Sequence, residues 1–242
     1  ITIGYTDNPE QPGETFFETI FKLPPATSLK YKPETKQLEF EKYWDIDGEK
    51  ENKKITDNEA TEQFSSLFSR SVKRRLRSDV SLGASLSGGL DSSSIIATAI
   101  PFITQASSFN AFTAIFPGFE KDEFKFAKQV ADNFGISHFT TAIAENELLK
   151  DWDKLNFHQE EPFGSASIYA QYKVFALAKQ HNVKVLLDGQ GADETLAGYH
   201  KYYKWYWQEL FHNRKLYKSK ELNAAKELGI TETFTYKNMI AA

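Results

Sequence analysis

Ser87-Gly88-Gly89-Leu90-Asp91-Ser92-Ser93 joins an apolar stretch to a run that opens like a helix. Two adjacent glycines let the backbone take φ > 0 and turn successive N–H groups inward. A helix start adds unpaired N–H groups and the positive end of a dipole. Together these make a site for an anion, most simply a phosphate. Asp91 sits awkwardly there, because its charge repels a phosphate. A divalent cation between the two resolves the conflict. An ordinary strand-to-helix turn, with Asp or Ser as N-cap, is the plainer reading of the glycines alone. No Gly-x-x-x-x-Gly-Lys-Ser/Thr string occurs in the chain, so this is not a Walker A loop.

A second turn of the same kind is Asp188-Gly189-Gln190-Gly191-Ala192-Asp193-Glu194, after the apolar run Val183 to Leu187. One reading is a tight turn with Asp193 as a helix N-cap. The other pairs Asp193 with Asp91. Two carboxylates from different strand ends can hold one Mg²⁺ against nucleotide phosphates, since this ion takes one or two carboxylates plus phosphate oxygens and water.

The elements that would position these turns follow from periodicity. Before the first turn, Val80, Leu82 and Ala84 alternate as a strand; after it, Ile95, Ile96, Ala97 and Ala99 continue as a helix. Residues 1 to 14 read as a loop. Ser28 to Tyr31 and Gln37 to Trp44 read as a hairpin about Pro33-Glu34-Thr35-Lys36. Charged residues 45 to 56 read as a solvated linker. Asp57 can cap a helix over 58–78, with Phe64, Leu67, Phe68 and Val72 on one face. Further on, strands are expected at 109–116, 137–142 and 183–187. Helices are expected at 122–134, 146–155 and 168–181, with a polar turn from His158 to Ser165. The aromatic tail from Lys201 (Tyr202, Tyr203, Trp205, Tyr206, Trp207, Phe211) is helical in pattern and suits a core or an interface. Strands alternating with helices imply an α/β fold with a parallel sheet flanked by helices, and both turns fall at the carboxyl ends of its strands.

Composition narrows the class. The chain has 242 residues, 40% hydrophobic and 26% charged, which suits a globular protein. A formal charge of −4 argues against general nucleic-acid binding. No apolar run is long enough for a membrane span. No basic segment marks a signal peptide, so cytoplasm is the default expectation. With no cysteine, the chain offers no disulfide, thiolate zinc ligand or thiol nucleophile. Without an initiator Met it reads as a piece of a longer chain.

The string Ser87 to Ser93 resembles the pyrophosphate loop of the ATP-pyrophosphatase superfamily, whose N-type members cleave ATP between its α- and β-phosphates. Taken with Asp188 to Glu194 and Gly198-Tyr199, it is similar to the synthetase domain of the class II glutamine-dependent asparagine synthetases, of the asparagine synthase B type. Phe21-Lys22-Leu23-Pro24-Pro25 and Tyr43-Trp44 look like the end of that family's glutaminase domain. Ser78 to Ala84 and Phe116 to Glu123 also look like family segments, and the resemblance covers about residues 16 to 200.

The resemblance implies an adenine nucleotide alpha-hydrolase-like, PP-loop fold with a short N-terminal β-hairpin remnant. Residues 1–56 would be the end of the glutaminase-like domain and its linker; residues 57–242 would be a C-terminally truncated synthetase domain. It implies ATP and Mg²⁺, with Asp91 and Asp193 as the metal carboxylates. Ser87, Gly88, Gly89 and Ser92 would hold pyrophosphate. Ser85, Leu86 and Ala114 would contact the adenosine, with Asp188 and Gly189 on its further wall. The activity implied is amidation of aspartate through β-aspartyl-AMP, with ammonia from glutamine. Gln190 takes a catalytic position where family members often carry glutamate; it can hydrogen-bond but cannot move a proton. Leu23-Pro24-Pro25 runs into Ala26-Thr27 where the family has Gly-His. The family's nucleophilic cysteine and downstream lysine are not found here, which implies a fragment not competent alone. A nucleotide-binding homologue without turnover and a β-lactam-synthetase-like ligase are the alternatives. The partners implied are small-molecule substrates, with no nucleic acid or membrane, and a homodimer is compatible with the family.

Overall fold

The computed structural model describes residues 8, 10–48, 50, 52, 54–120, 122–230 and 232–235. The expected loop at 1–7 and 9, linker positions 49, 51 and 53, and position 121 of the Phe116–Glu123 segment lie outside the described residues.

Two strands, β1 (Thr27–Lys32) and β2 (Gln37–Lys42), form an antiparallel hairpin. Leu29 faces Phe40 and Tyr31 faces Leu38 across it, while Lys30 faces Glu39. Alternation puts the four apolar side chains on one face and the charges on the other. The apolar face is open, its side chains 47–60% exposed. Lys32 and Glu39 pair on the charged face.

Helix α1 (Asp57–Arg75) is capped by Thr56, not by Asp57 as the sequence suggests. Thr56 Oγ1 accepts from the Glu59 amide and the Glu59 carboxylate accepts from the Thr56 amide, a reciprocal capping box. Asp57 is already in the first turn, where its charge suits the helix dipole.

The main sheet is parallel, in the order β5-β4-β3-β6. Its strands are β3 (Leu82–Ser85), β4 (Asn110–Ile115), β5 (Ser137–Ala142) and β6 (Val185–Leu187). The connecting helices are α2 (Leu90–Ala99), α3 (Phe124–Phe134), α4 (Glu145–Gln159) and α5 (Ser167–Gln180). Ala84, Leu86 and Ala111 pack with Ile96 of α2 and with Ala127 and Ala131 of α3. Phe112, the neighbour of Ala111, packs instead with Val174 and Ala178 of α5. Successive residues of one strand thus bury against helices on opposite faces, which is the α/β arrangement with both faces covered.

Helix α4 runs through Gln159, so His158 lies in its last turn and the polar turn begins at Glu160. Glu160 takes the turn at φ 63.

The chain divides into two compact units, Ile1–Leu187 and Asp188–Ala242. The second holds α6 (Ala192–Leu196), α7 (His200–His212) and α8 (Glu221–Glu227). Its core is Trp207, Leu216 and Ala225, ringed by Tyr203, Leu210, Phe211, Leu222, Ile230 and Phe234. The aromatic tail is thus divided: Trp207 is buried, while Trp205 and Tyr206 face outward. Among the described residues, no helix is long and apolar enough to cross a membrane.

Candidate functional site

Strand β3 ends at Ser85 and delivers the chain into the first glycine turn. Leu86, 1% exposed, anchors the turn in the core, and its amide donates to the Phe112 carbonyl at 2.9 Å. Gly88 takes φ +91, and a Cβ there would lie 2.6 Å from the Ala127 amide nitrogen and 3.0 Å from the Glu123 carbonyl. The loop therefore lies directly against the start of α3, closer than any side chain allows.

The loop is closed by its own serines. The Ser87 amide reaches Ser92 Oγ at 3.3 Å, and the two hydroxyls meet at 3.1 Å. Ser92 Oγ also reaches the Gly89 carbonyl, and the Gly89 amide donates to Ser87 Oγ. What this leaves open is the start of α2. Gly89 is its N-cap, and no side chain among the described residues caps it. The amides of Leu90, Asp91 and Ser92 have no acceptor within the helix. The arrangement is a set of N–H donors without helical acceptors at the positive end of a ten-residue helix, behind a glycine turn.

The predicted residues Ser85, Leu86, Ser87, Gly88, Gly89, Asp91, Ser92 and Ala114 come together at the carboxyl ends of β3 and β4. The Ser85 and Ser93 hydroxyl oxygens are both buried, with no hydrogen-bond partner among the described residues. Asp91 is half-buried in the first turn of α2.

Asp188, Gly189, Gln190 and Asp193 belong to the second unit. Strand β6, which precedes them and belongs to the first unit, pairs in parallel with β3. The sheet reverses its winding between those strands, β4 and β5 lying to one side of β3 and β6 to the other. Within the second unit Gly191 takes φ +91, and Asp193 and Glu194 fall in the first turn of α6. The Asp193 Oδ1 passes 1.9 Å from where a Cβ on Gly198 would be, so only glycine leaves this carboxylate its place. Tyr199 donates to Glu194 at 2.6 Å, which holds the Glu194 carboxyl below its usual range and pushes the Tyr199 phenol up to about 12. Gln190 is exposed.

Sequence reasoning missed two side chains behind the first loop, Thr113 and His138. Thr113 Oγ1 donates to the Leu86 carbonyl and contacts His138 Nε2 at 2.8 Å. Nothing local in the sequence marks them, since strand pairing alone brings them together.

A family model described as asparagine synthase matches residues 63–237. The chain belongs to the asparagine synthase family. Among its relatives in that family is a putative glutamine-hydrolyzing asparagine synthetase 2 of Methanocaldococcus jannaschii. It is 33% identical over 188 residues, covering 76% of this chain and 35% of that protein. The glutamine-hydrolyzing asparagine synthetase 1 of Bacillus subtilis is 36% identical over 135 residues, 54% of this chain and 20% of that protein. The amidase chry2 of Gibberella zeae is 26% identical over 199 residues, 76% of this chain and 30% of that protein. The chain thus spans about a third or less of the length of these relatives. Among solved structures, the NH3-dependent NAD synthetase from Campylobacter jejuni overlaps 74% of this chain and 90% of its own, at 14% identity and a TM-score of 0.40. Within the asparagine synthase match lie all the residues of both glycine turns.

Proposed function

We propose that this chain carries the ATP-using part of an asparagine synthase. The observation that supports this best is the uncapped start of α2 behind a glycine turn at the carboxyl edge of the sheet. In this reading the amides of Leu90 to Ser92 at the start of α2 bind the β- and γ-phosphates, with the loop Ser87 to Gly89 around them. Ser85, Leu86 and Ala114 lie beside the adenosine, and Asp188 and Gly189 are further adenosine contacts. An aspartate side-chain carboxylate attacks the α-phosphorus, and the bond to the β-phosphate oxygen breaks. The products of that step are β-aspartyl-AMP and pyrophosphate. Ammonia released from glutamine then attacks the acyl carbon and AMP leaves. No side chain acts as a nucleophile, so catalysis is positioning and charge neutralisation. Gln190 would orient a reacting group by hydrogen bonds.

Among the described residues, no group of three or more His, Asp or Glu is placed to hold a metal. Magnesium on a nucleotide asks less of the protein, one or two carboxylates. In this reading Asp91 and Asp193 are the carboxylates that would hold it. The ion would supply positive charge to the phosphates. Residues 1–56 are proposed as the end of a glutaminase-like domain with its linker, and 57–242 as the synthetase domain.

Aspartate-dependent exchange of pyrophosphate into ATP, measured on the full-length protein, tests the reading. Exchange with aspartate is the expected result. Exchange only with another carboxylate would remove asparagine synthesis and keep the loop chemistry; the likeness to amidases makes that the second reading. ATP binding without any exchange would point to a homologue without turnover. Asp193→Ala is expected to abolish magnesium-dependent exchange, and unchanged exchange would refute its role as a ligand.

A further inference from the structure

A buried polar pair behind the first glycine loop is used by no step above. Pairing of β3 with β4 ends at Ser85 and Phe112, and beyond it the Leu86 carbonyl is taken by a side chain, the Thr113 hydroxyl. Thr113 is 3% exposed. A threonine has one hydroxyl proton, and the bond to a carbonyl must use it. The 2.8 Å contact between Thr113 Oγ1 and His138 Nε2 therefore has the ring as donor. Neutral His138 is thus the Nε2–H tautomer. Burial, and after it the Lys128 ammonium, push the His138 pKa below its ordinary value, while Asp132 pulls it up. The ring stacks on Phe124 at the start of α3, 6.1 Å between centroids. Sheet register explains the meeting: Ala111 lies opposite His138 and Thr113 opposite Thr140, so Thr113 and His138 are diagonal neighbours on one face.

The consequence runs through one peptide plane. The Leu86 carbonyl and the Ser87 N–H belong to the same rigid unit. Fixing that carbonyl fixes the direction of the Ser87 N–H, which points to Ser92 Oγ. Ser92 in turn meets Ser87 Oγ and the Gly89 carbonyl. A continuous chain of hydrogen bonds thus runs from His138 through Thr113 and the Leu86–Ser87 peptide to the loop serines.

We propose that Thr113 and His138 are positioning residues, which set the aim of the loop's anion-binding amides from the strands beside it. The inference rests on the phosphate-loop reading proposed above.

Two measurements on the full-length protein test it. The first is amide hydrogen exchange without nucleotide. Thr113→Val should speed exchange of the Ser87 and Gly89 amides about tenfold, the worth of one hydrogen bond. Thr113→Ser, which keeps the hydroxyl, should stay within about twofold of wild type, well below that single-bond effect. His138→Leu should follow Thr113→Val; His138→Gln, which keeps a donor, should follow wild type. The second is ATP–pyrophosphate exchange, where Thr113→Val should raise the KM for ATP about tenfold and change kcat much less. Thr113→Val and His138→Leu variants that melt earlier but keep wild-type amide exchange and KM would make the pair mere packing and overturn the proposal. Wild-type protein without nucleotide exchange would overturn the functional reading, and the amide measurement would then decide the positioning role alone.

Discussion

A methyl group at Gly88 would lie 2.6 Å from the Ala127 amide nitrogen and 2.9 Å from the Phe126 Cβ, on a backbone already at φ +91. Neither neighbour is a flexible tip, so the loop itself would have to move. Gly88→Ala is expected to cost about 2–4 kcal/mol, from left-handed strain and overpacking together, read by urea denaturation. It should also abolish ATP–pyrophosphate exchange; a variant with wild-type stability would contradict the close approach. His138 carries a pH prediction. Its pKa in the folded protein is lowered from 6.5, first by burial and then by Lys128. The unfolded chain therefore binds this proton more readily. The neutral ring is compatible with full stability above about pH 6.5, and stability falls as pH drops below that value toward the lowered folded pKa. Chemical denaturation at a series of pH values should show that slope, and His138→Gln should flatten it.

Among the elements, α1 offers the cleanest measurement, because its start rests on two reciprocal bonds between Thr56 and Glu59. Thr56→Ala is expected to cost about 1 kcal/mol; a loss below a few tenths in urea titrations would mean the box adds nothing. The signal for this box, Thr56-Asp57-Asn58-Glu59, stands in the sequence, but Asp57 is an equally good cap residue and masks it. Other elements were plain. Strand β5 falls on Ser137–Ala142 as its pattern suggests, and Gly135 closes α3 in the left-handed region. The loop Ser87 to Ser92 is legible because glycines, serines and a carboxylate are adjacent in the chain. Thr113 and His138 are not, since 25 residues separate them and only strand register makes them neighbours. The end of α4 is hard to read in the sequence for a different reason: His158 and Gln159 are polar, yet polar residues on an exposed helix face continue a helix readily.

For the molecule as a whole, the open hairpin face is the feature that solution behaviour should report. Leu29, Tyr31, Leu38 and Phe40 form one exposed apolar patch. Replacing Leu38 and Phe40 by serine should lower the fluorescence of a bound apolar dye and leave ATP–pyrophosphate exchange unchanged; undiminished fluorescence would place the dye elsewhere. The central strand β3 has a consequence in time. One of its edges is tied through Leu86 and Thr113, 27 residues apart, and the other through Ser81 and Asn182, 101 residues apart. Contacts of such different span close at different rates, the nearer first. As the chain emerges from the ribosome, β3, β4 and β5 can assemble while the far edge of β3 still lacks its partner. That bare edge belongs to the strand that feeds the first glycine loop, so the nascent protein is most open to stray strand pairing until β6 has emerged.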